Sequence, residues 1–327
     1  MNILVTGGAG YIGSHAVKRL LREGHTPIIF DNLCRGNSWA LITEHVMGDL
    51  TNKAQIQSSL EQYEIEAVMH FASYAYVHES YEKPKDYFEN NLMGSLNLLE
   101  SCAEVGIKKI IFSSTCSIYG VPENIPITED HPPDPVNPYG ESKLMVERML
   151  RWYNEIYGID HVCLRYFNVA GCDPEGEIGE WHNPETHVVP NVLMAAMGLK
   201  PEFKVFGADY DTPDGTCIRD YMHVLDIVDA HIKALGLLNE KGGIRAYNLG
   251  NSRGFSVKEL IEASENVTGQ SVPVIIADRR KGDPPELVSD SSKARAELGW
   301  EPRLSDLDTI MKTHWDWLSS LSEKGII

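Results

Sequence analysis

The chain has 327 residues, 43% of them hydrophobic and 23% charged, enough to bury a sizeable core over about two domains' worth of sequence. Its 29 basic residues against 47 acidic ones leave a net charge of −18. A field of that sign excludes a general nucleic-acid or acidic-membrane binder, since both rely on a basic surface, so any anionic ligand must find few and local positive partners.

The chain opens MNILVTGGAGYIGSH, an apolar strand over Asn2–Thr6 that runs into a glycine-rich turn at Gly7. A basic segment followed by a long apolar run is missing here, and no stretch reaches the ~18 apolar residues of a membrane span, so a cytoplasmic protein is expected. The six cysteines (Cys34, Cys102, Cys116, Cys163, Cys172, Cys217) are scattered without a C-x-x-C pair and are expected to be reduced. Helix and strand patterns then alternate: helix Ile12–Glu23, strand Pro27–Asp31, helix Thr51–Tyr63, strand Glu66–Phe71, helix Pro84–Val105. Strand Lys109–Ser114, helix Pro138–Tyr157 and strand Asp160–Tyr166 follow. The strands are unbroken apolar runs, as in parallel strands covered on both faces, and the alternation predicts a doubly wound α/β sheet.

The second half is less regular. A polar Gly- and Pro-rich stretch covers 171–190, followed by a helix near Val192–Gly198 and a further helix with its entry strand over Tyr221–Leu238. Ser256–Thr268 and Ser305–Leu321 read as helices, the latter opened by Ser305 with Asp308 in a variant capping box. We expect a nucleotide-binding domain over 1–170, a returning segment at about 215–250, and a smaller α/β substrate domain over 171–327 interleaved with the first.

Gly8-x-Gly10-x-x-Gly13 follows a strand at once and opens a helix, which gives a tight turn, close backbone approach to a pyrophosphate and a positive helix end. Gly7 adjoins it. Asp31 ends the next strand, where a carboxylate bonds an adenosine ribose diol and repels a 2′-phosphate, so NAD is expected over NADP; Arg35 nearby argues the other way. Tyr139-x-x-x-Lys143 sits just inside a helix begun by Pro138, both side chains on one face. An ammonium beside the phenol is expected to lower its pKa toward neutrality and make it a general acid/base. Tyr81-x-x-x-Lys85 has the same spacing, but Pro84 forbids a helix through it. Ser113, Ser114 and Thr115 close a strand at the sheet edge where ligands bind.

These residues, with DNL (Asp31–Leu33), GDL (Gly48–Leu50), HFAS…VHES (His70–Ser80), NNLMG (Asn90–Gly94), FSSTCSIYG (Phe112–Gly120) and PYGESK (Pro138–Lys143), carry a resemblance. LRYFNVAG (Leu164–Gly171), RDYMHV (Arg219–Val224), YNLG (Tyr247–Gly250) and RRKGDPP (279–285) extend it along the chain. The sequence resembles the extended short-chain dehydrogenase/reductases, in particular their NAD-dependent nucleotide-sugar epimerases. The resemblance implies a Rossmann-type sheet and 4-epimerisation of a UDP-sugar of the UDP-glucose/UDP-galactose kind. It makes Tyr139 the base, has Thr115 bridge to the sugar hydroxyl, and places Lys143 on the nicotinamide ribose. It places Tyr11, Ile12, Asp31, Asn32, Asp49 and Leu50 at NAD, together with Phe71, Ala72, Asn91, Tyr166 and Phe167. Asn168, Arg219, Arg280 and Asp283 would hold the UDP-sugar, with Leu287 beside the sugar's C2 substituent.

Some positions depart from the family pattern. Ala75 stands where the family often has a cofactor-binding lysine, Thr115 where serine is commoner, and Leu287 leaves N-acetylated and pentose sugars open. A 4,6-dehydratase would carry an acidic pair after Thr115, and a decarboxylase a glutamate there; Cys116 and Ser117 occupy those places. A free NAD-linked dehydrogenase stays open, whereas a non-catalytic NAD sensor would have lost the Tyr139/Lys143 pair. No metal is expected, because His182 and His187 stand five apart in a loop and match no zinc spacing. Stripes on the helix Pro138–Tyr157 (Val146, Leu150, Tyr153, Tyr157; Met145, Met149, Trp152, Ile156) and Leu92, Leu96, Leu99 and Ala103 before it suit a homodimer.

Overall fold

The apolar runs become a seven-stranded, wholly parallel sheet in the computed structural model, which describes residues 1–280 and 283–327. Its elements begin β1 (Asn2–Thr6), α1 (Tyr11–Arg22), β2 (Thr26–Asp31), β3 (His45–Met47), α2 (Lys53–Gln62) and β4 (Ala67–His70). They continue through α3 (Val77–Glu82), α4 (Pro84–Tyr87), α5 (Gly94–Val105), β5 (Lys109–Thr115), α6 (Pro138–Tyr157) and β6 (Asp160–Tyr166). Next come β7 (Asn168–Ala170), α7 (Val188–Ala196), β8 (Phe203–Phe206), β9 (Ile218–His223), α8 (Val224–Lys241) and β10 (Ile244–Leu249). The chain closes with β11 (Gly254–Ser256), α9 (Val257–Thr268), β12 (Val274–Ala277), β13 (Glu286–Leu287), α10 (Ser292–Leu298) and α11 (Leu307–Glu323).

The strand order is β3-β2-β1-β4-β5-β6-β10. It reverses between β1 and β4, which opens a crevice at the carboxyl ends of those strands. Both sheet faces are buried, which is why the strands lack alternation: Ile3, Val5, Met69, Ile111 and Leu164 pack under α1 and α8, and Leu4, Val68, Ile110 and Phe112 under α2, α5 and α6. Trp300 is fully buried in the first of these cores and donates its indole N–H to the Asp226 carbonyl at 2.8 Å. Trp300→Ala leaves a large cavity and an unpaired carbonyl, so a loss of about 3–5 kcal/mol is expected in urea denaturation.

Two elements differ from the sequence reading. The predicted helix Pro84–Val105 is α4 and α5 joined by a π-helical stretch, Phe88–Met93, preceded by the separate short helix α3. The wider turn directs Asn91 inward, where its amide bonds the Tyr74 backbone N and O (2.8 and 3.0 Å) and the Ser142 hydroxyl (3.1 Å). Helix α11 starts at Leu307 and is capped by Asp306, whose carboxylate accepts from Thr309 N–H at 2.8 Å. Ser305 instead donates to the buried Asp226 carboxylate at 2.6 Å and accepts from the His223 N–H at 2.9 Å, which commits its hydroxyl away from the helix end.

A smaller sheet lies at the carboxyl edge of the large one. β9 pairs with β7 along Tyr221–His223, and with antiparallel β11 and parallel β13 along Ile218–Asp220. β8 and β12 form a separate parallel pair.

Candidate active site

The glycine turn after β1 is shaped by what cannot fit there. Gly7 has φ +71°, and a Cβ on it would lie 2.6 Å from the Ala72 amide nitrogen; a Cβ on Gly13 would lie 2.1 Å from the Gly7 carbonyl oxygen. The turn is therefore bare backbone held against β4. Gly10 caps α1 with no side-chain hydrogen bond, so the first-turn amides at Tyr11, Ile12 and Gly13 face outward with positive helix-end charge. These features fit a dinucleotide pyrophosphate.

Asp31 is buried at the end of β2 and accepts from Ala9 N–H (3.0 Å) and Leu33 N–H (2.8 Å). Burial raises its pKa, while those two amides work in the opposite direction. Asn32 donates to Asp49 at 2.8 Å, which places the two predicted adenosine-side residues together beside the buried Leu50. Arg35 does not reach toward a 2′-phosphate. Glu79 takes it in a two-pronged pair (2.8 and 2.7 Å), between the rings of Tyr74 and Tyr76. Asp31→Ala should accordingly weaken NAD retention without creating NADP use, as read by chromatography of the nucleotide released from purified protein.

The reactive end gathers at the carboxyl ends of β5 and β6. Ser113 and Tyr166 share a hydroxyl–hydroxyl bond, and Thr115 is buried beside Tyr139. Pro138 starts α6, and Asn137 caps it by accepting from Gly140 N–H at 2.8 Å, so Tyr139 stands in the first turn of a helix. Lys143, one turn on, is buried, donates to the Ser113 carbonyl at 2.9 Å and lies 6.0 Å from the Tyr139 ring centre. The decoy fails as the sequence argued: Tyr81 is exposed and the helix breaks between Glu82 and Pro84.

The expected electrostatics need correction. Burial pushes the Tyr139 phenol up to about 12, with Thr115 pulling back. Lys143 itself is lowered to about 7 by burial, with Glu147 opposing. An ammonium that loses its hydration inside the core sheds its proton more readily, which weakens its pull on the phenol. Lys143 thus carries a cost in the folded state that is full below about pH 7 and gone near its ordinary value of 10.5. Relative to Lys143→Met, the wild-type chain should gain stability as pH rises between those limits, measured by denaturant midpoints at neutral and alkaline pH.

The substrate-side residues meet on the small sheet. Asn168 pairs in register with Tyr221 and donates to the Asp220 carbonyl at 3.2 Å. Leu287 is in register with Arg219, and its side chain packs against the cluster that holds Tyr119 and Phe167. Cys116 links the two halves, lying close enough to feel both Arg219 and, in turn, Tyr139. Arg219 is nearly buried and already held by Asp283 and the Pro284 carbonyl (2.8 Å). Arg280 is exposed, with its guanidinium 4.0 Å over the Phe206 ring, and its carbonyl accepts from the Asp283 N–H at 3.3 Å. Lys281 and Gly282 of the RRKGDPP motif lie outside the described residues.

Phe71 packs on His231 at 4.7 Å, and Ala72 walls the glycine turn. Ala75 is exposed. Sequence reasoning missed Tyr74, Tyr76, Glu79 and Ser142, which fix the cofactor-side wall; none carried a local signal, since Glu79 stands 44 residues from Arg35 with nearer acids between. Ser114 turns away from the pocket and donates to Glu147 at 2.5 Å.

Residues 3–250 match the NAD dependent epimerase/dehydratase family. A curated relative from Halalkalibacterium halodurans, named UDP-glucose 4-epimerase, is 48% identical over 97% of this chain and 95% of its own length. The structure resembles that of UDP-glucose 4-epimerase from Brucella ovis in complex with NAD, with TM-score 0.95 and 47% identity over 96% of this chain and 97% of that one. It also resembles the Bifidobacterium longum enzyme in complex with NAD+ and UDP, with TM-score 0.93 and 37% identity over 98% of each chain. A glycine turn built for a dinucleotide, an acid at the end of β2 and a Tyr/Lys pair on α6 are thus found in a chain that belongs to the NAD dependent epimerase/dehydratase family.

Proposed function

We propose that the protein interconverts UDP-glucose and UDP-galactose by NAD-dependent 4-epimerisation through a transient 4-keto sugar. The observation that carries this reading is the convergence of Thr115, Tyr139 and Lys143 where the large and small sheets meet, beside the glycine turn. Gly7, Gly8, Gly10, Tyr11, Ile12 and Gly13 would hold the cofactor pyrophosphate; Asp31, Asn32, Asp49 and Leu50 its adenosine end. Phe71, Ala72, Asn91, Tyr166 and Phe167 would line the rest. NAD held there would supply the acceptor and donor for the sugar's C4 hydride and, in its oxidised form, a positive charge in the pocket.

Tyr139 receives the proton of the sugar 4-OH and later gives it back, with the Thr115 hydroxyl between phenol and sugar. The first-turn position on α6 favours the phenolate, and burial keeps competing water away. Lys143 orients the nicotinamide ribose and, when protonated, favours the phenolate. Asn168, Arg219, Arg280 and Asp283 hold the nucleotide diphosphate while the keto sugar turns over, and Arg219 must exchange part of its bond to Asp283 for phosphate oxygens. Leu287 borders the space beside the sugar. The interleaved domain division expected from sequence accompanies this reading, the return of β10 to the large sheet being its support.

We also read the assembly as a homodimer of a cytoplasmic enzyme. Trp152 and Ile156, one turn apart on α6, leave apolar surface exposed there. Among the described residues no helix is long and apolar enough to cross a membrane. Trp152→Glu should convert the dimer to monomers in sedimentation velocity. The decisive assay supplies UDP-galactose to purified protein without added NAD and looks for UDP-glucose. Its absence even with NAD added rules out the reading, net NADH production replaces it with a dehydrogenase, and UDP-N-acetylgalactosamine and UDP-pentoses run alongside test Leu287.

A further inference from the structure

The loop between β7 and α7 carries a cluster that takes no part in this chemistry. The spacing of His182 and His187 alone gave no reason to expect a metal; the fold adds Glu180 and Glu185 to them. One donor atom from each of the four residues lies within 4.8 Å of the others. His182 Nδ1 is 3.3 Å from Glu180 Oε1 and 3.4 Å from Glu185 Oε2, and His187 Nδ1 is 3.0 Å from Glu180 Oε1 and 2.8 Å from Glu185 Oε1. A tetrahedron with zinc's ~2.0–2.1 Å bonds to nitrogen and oxygen has edges of about 3.3 Å. Both edges from Glu180 Oε1 are close to that length, and each histidine finds one Glu185 oxygen at 2.8–3.4 Å, so a small turn of that carboxylate brings a single oxygen to both.

Glu180 supplies an independent observation. It is 1% exposed, and among the described residues neither of its carboxylate oxygens receives a hydrogen bond. A buried carboxylate in that condition is costly. Both histidines bring an Nδ1 within ion-pair distance of its Oε1, at 3.0 and 3.3 Å, while their aligned hydrogen bonds go to Glu185, so a cation shared by all four would satisfy it more fully.

We propose that Glu180, His182, Glu185 and His187 form a four-coordinate site for a zinc-class divalent cation. Four protein ligands close the coordination sphere, which makes the ion structural, unlike a catalytic site that keeps a position open. Its place explains what it would hold. Tyr11 of the cofactor turn stands edge-on to His182 at 6.3 Å, and Tyr76 stands 5.9 Å from each histidine ring. From behind, the Trp317 indole donates to the Glu180 carbonyl at 2.9 Å. The ion would therefore pin the loop leading into α7 against the turn and the Tyr74–Tyr76 wall, on the side where Ala75 offers no lysine.

The test uses the untagged full chain, stripped of metal and reloaded with Zn2+ or Co2+. One tightly held equivalent per chain is expected, with the intense visible absorption of tetrahedral Co2+ and a higher melting temperature in the loaded form. Glu180→Gln and His187→Gln should each lose that equivalent, with circular dichroism checking that they fold. The wild-type measurement stands alone if a variant does not fold. No stoichiometric uptake by the folded wild-type chain, a weak octahedral spectrum, or full uptake by both folded variants would overturn the proposal and leave a buried histidine–glutamate ion-pair network.

Discussion

Tyr139→Phe should lower turnover by about 10²–10⁴-fold, the usual contribution of a positioned acid/base group, while the bound NAD content of the purified protein stays unchanged. The ring packs edge-to-face on Tyr87 at 6.4 Å, and phenylalanine keeps that contact. Only the phenol oxygen is lost, and with it the group that takes the 4-OH proton as C4 is oxidised. Lys143 cannot substitute, since its Nζ is committed to the Ser113 carbonyl at 2.9 Å. Thr115→Val should cost less, because it removes a bridging hydroxyl and leaves the base, and Thr115→Ser should stay near wild type. Single-turnover assays with UDP-galactose read the chemical step directly. A Tyr139→Phe rate within a few-fold of wild type would take Tyr139 out of the role of base.

Gly13→Val should abolish cofactor retention. The first carbon added at Gly13 meets the Gly7 carbonyl oxygen at 2.1 Å and the Gly8 Cα at 3.0 Å, both backbone atoms that cannot rotate away. Relief requires α1 to separate from the turn, which moves the amides that would face the pyrophosphate. The variant is expected to purify without NAD and to remain inactive when NAD is supplied, with a lowered melting temperature. Gly236→Ala is the matched control, since a Cβ there meets nothing within 4 Å and the residue lies inside α8. It should keep its cofactor and gain up to about 1 kcal/mol from helix propensity. Equal NAD content in both variants would mean that the turn is not the cofactor's cradle.

Local chemistry explains which parts were legible in advance. The strands β1, β5 and β6 and helix α6 fall where their apolar runs and capping residues put them, because burial on both sheet faces erases alternation and Pro138 and Gly158 punctuate the helix. The π-helical stretch around Asn91 was not legible, since its helix-forming residues say nothing about which turn a distant Tyr74 and Ser142 will select. Short strands β7, β9, β11 and β13 likewise take their pairing from partners far along the chain.

The sequence by itself determined the doubly wound architecture, the glycine turn with its acid at the end of β2, and the Tyr139/Lys143 pair, because each rests on spacing within one element or one turn. The tertiary structure decided the rest: that Arg35 belongs to Glu79, that burial lowers Lys143 and raises Tyr139, that Arg219 is held by Asp283, and that two carboxylates join two histidines outside any motif. These outcomes depend on burial and on meetings between distant segments, and a local pattern encodes neither.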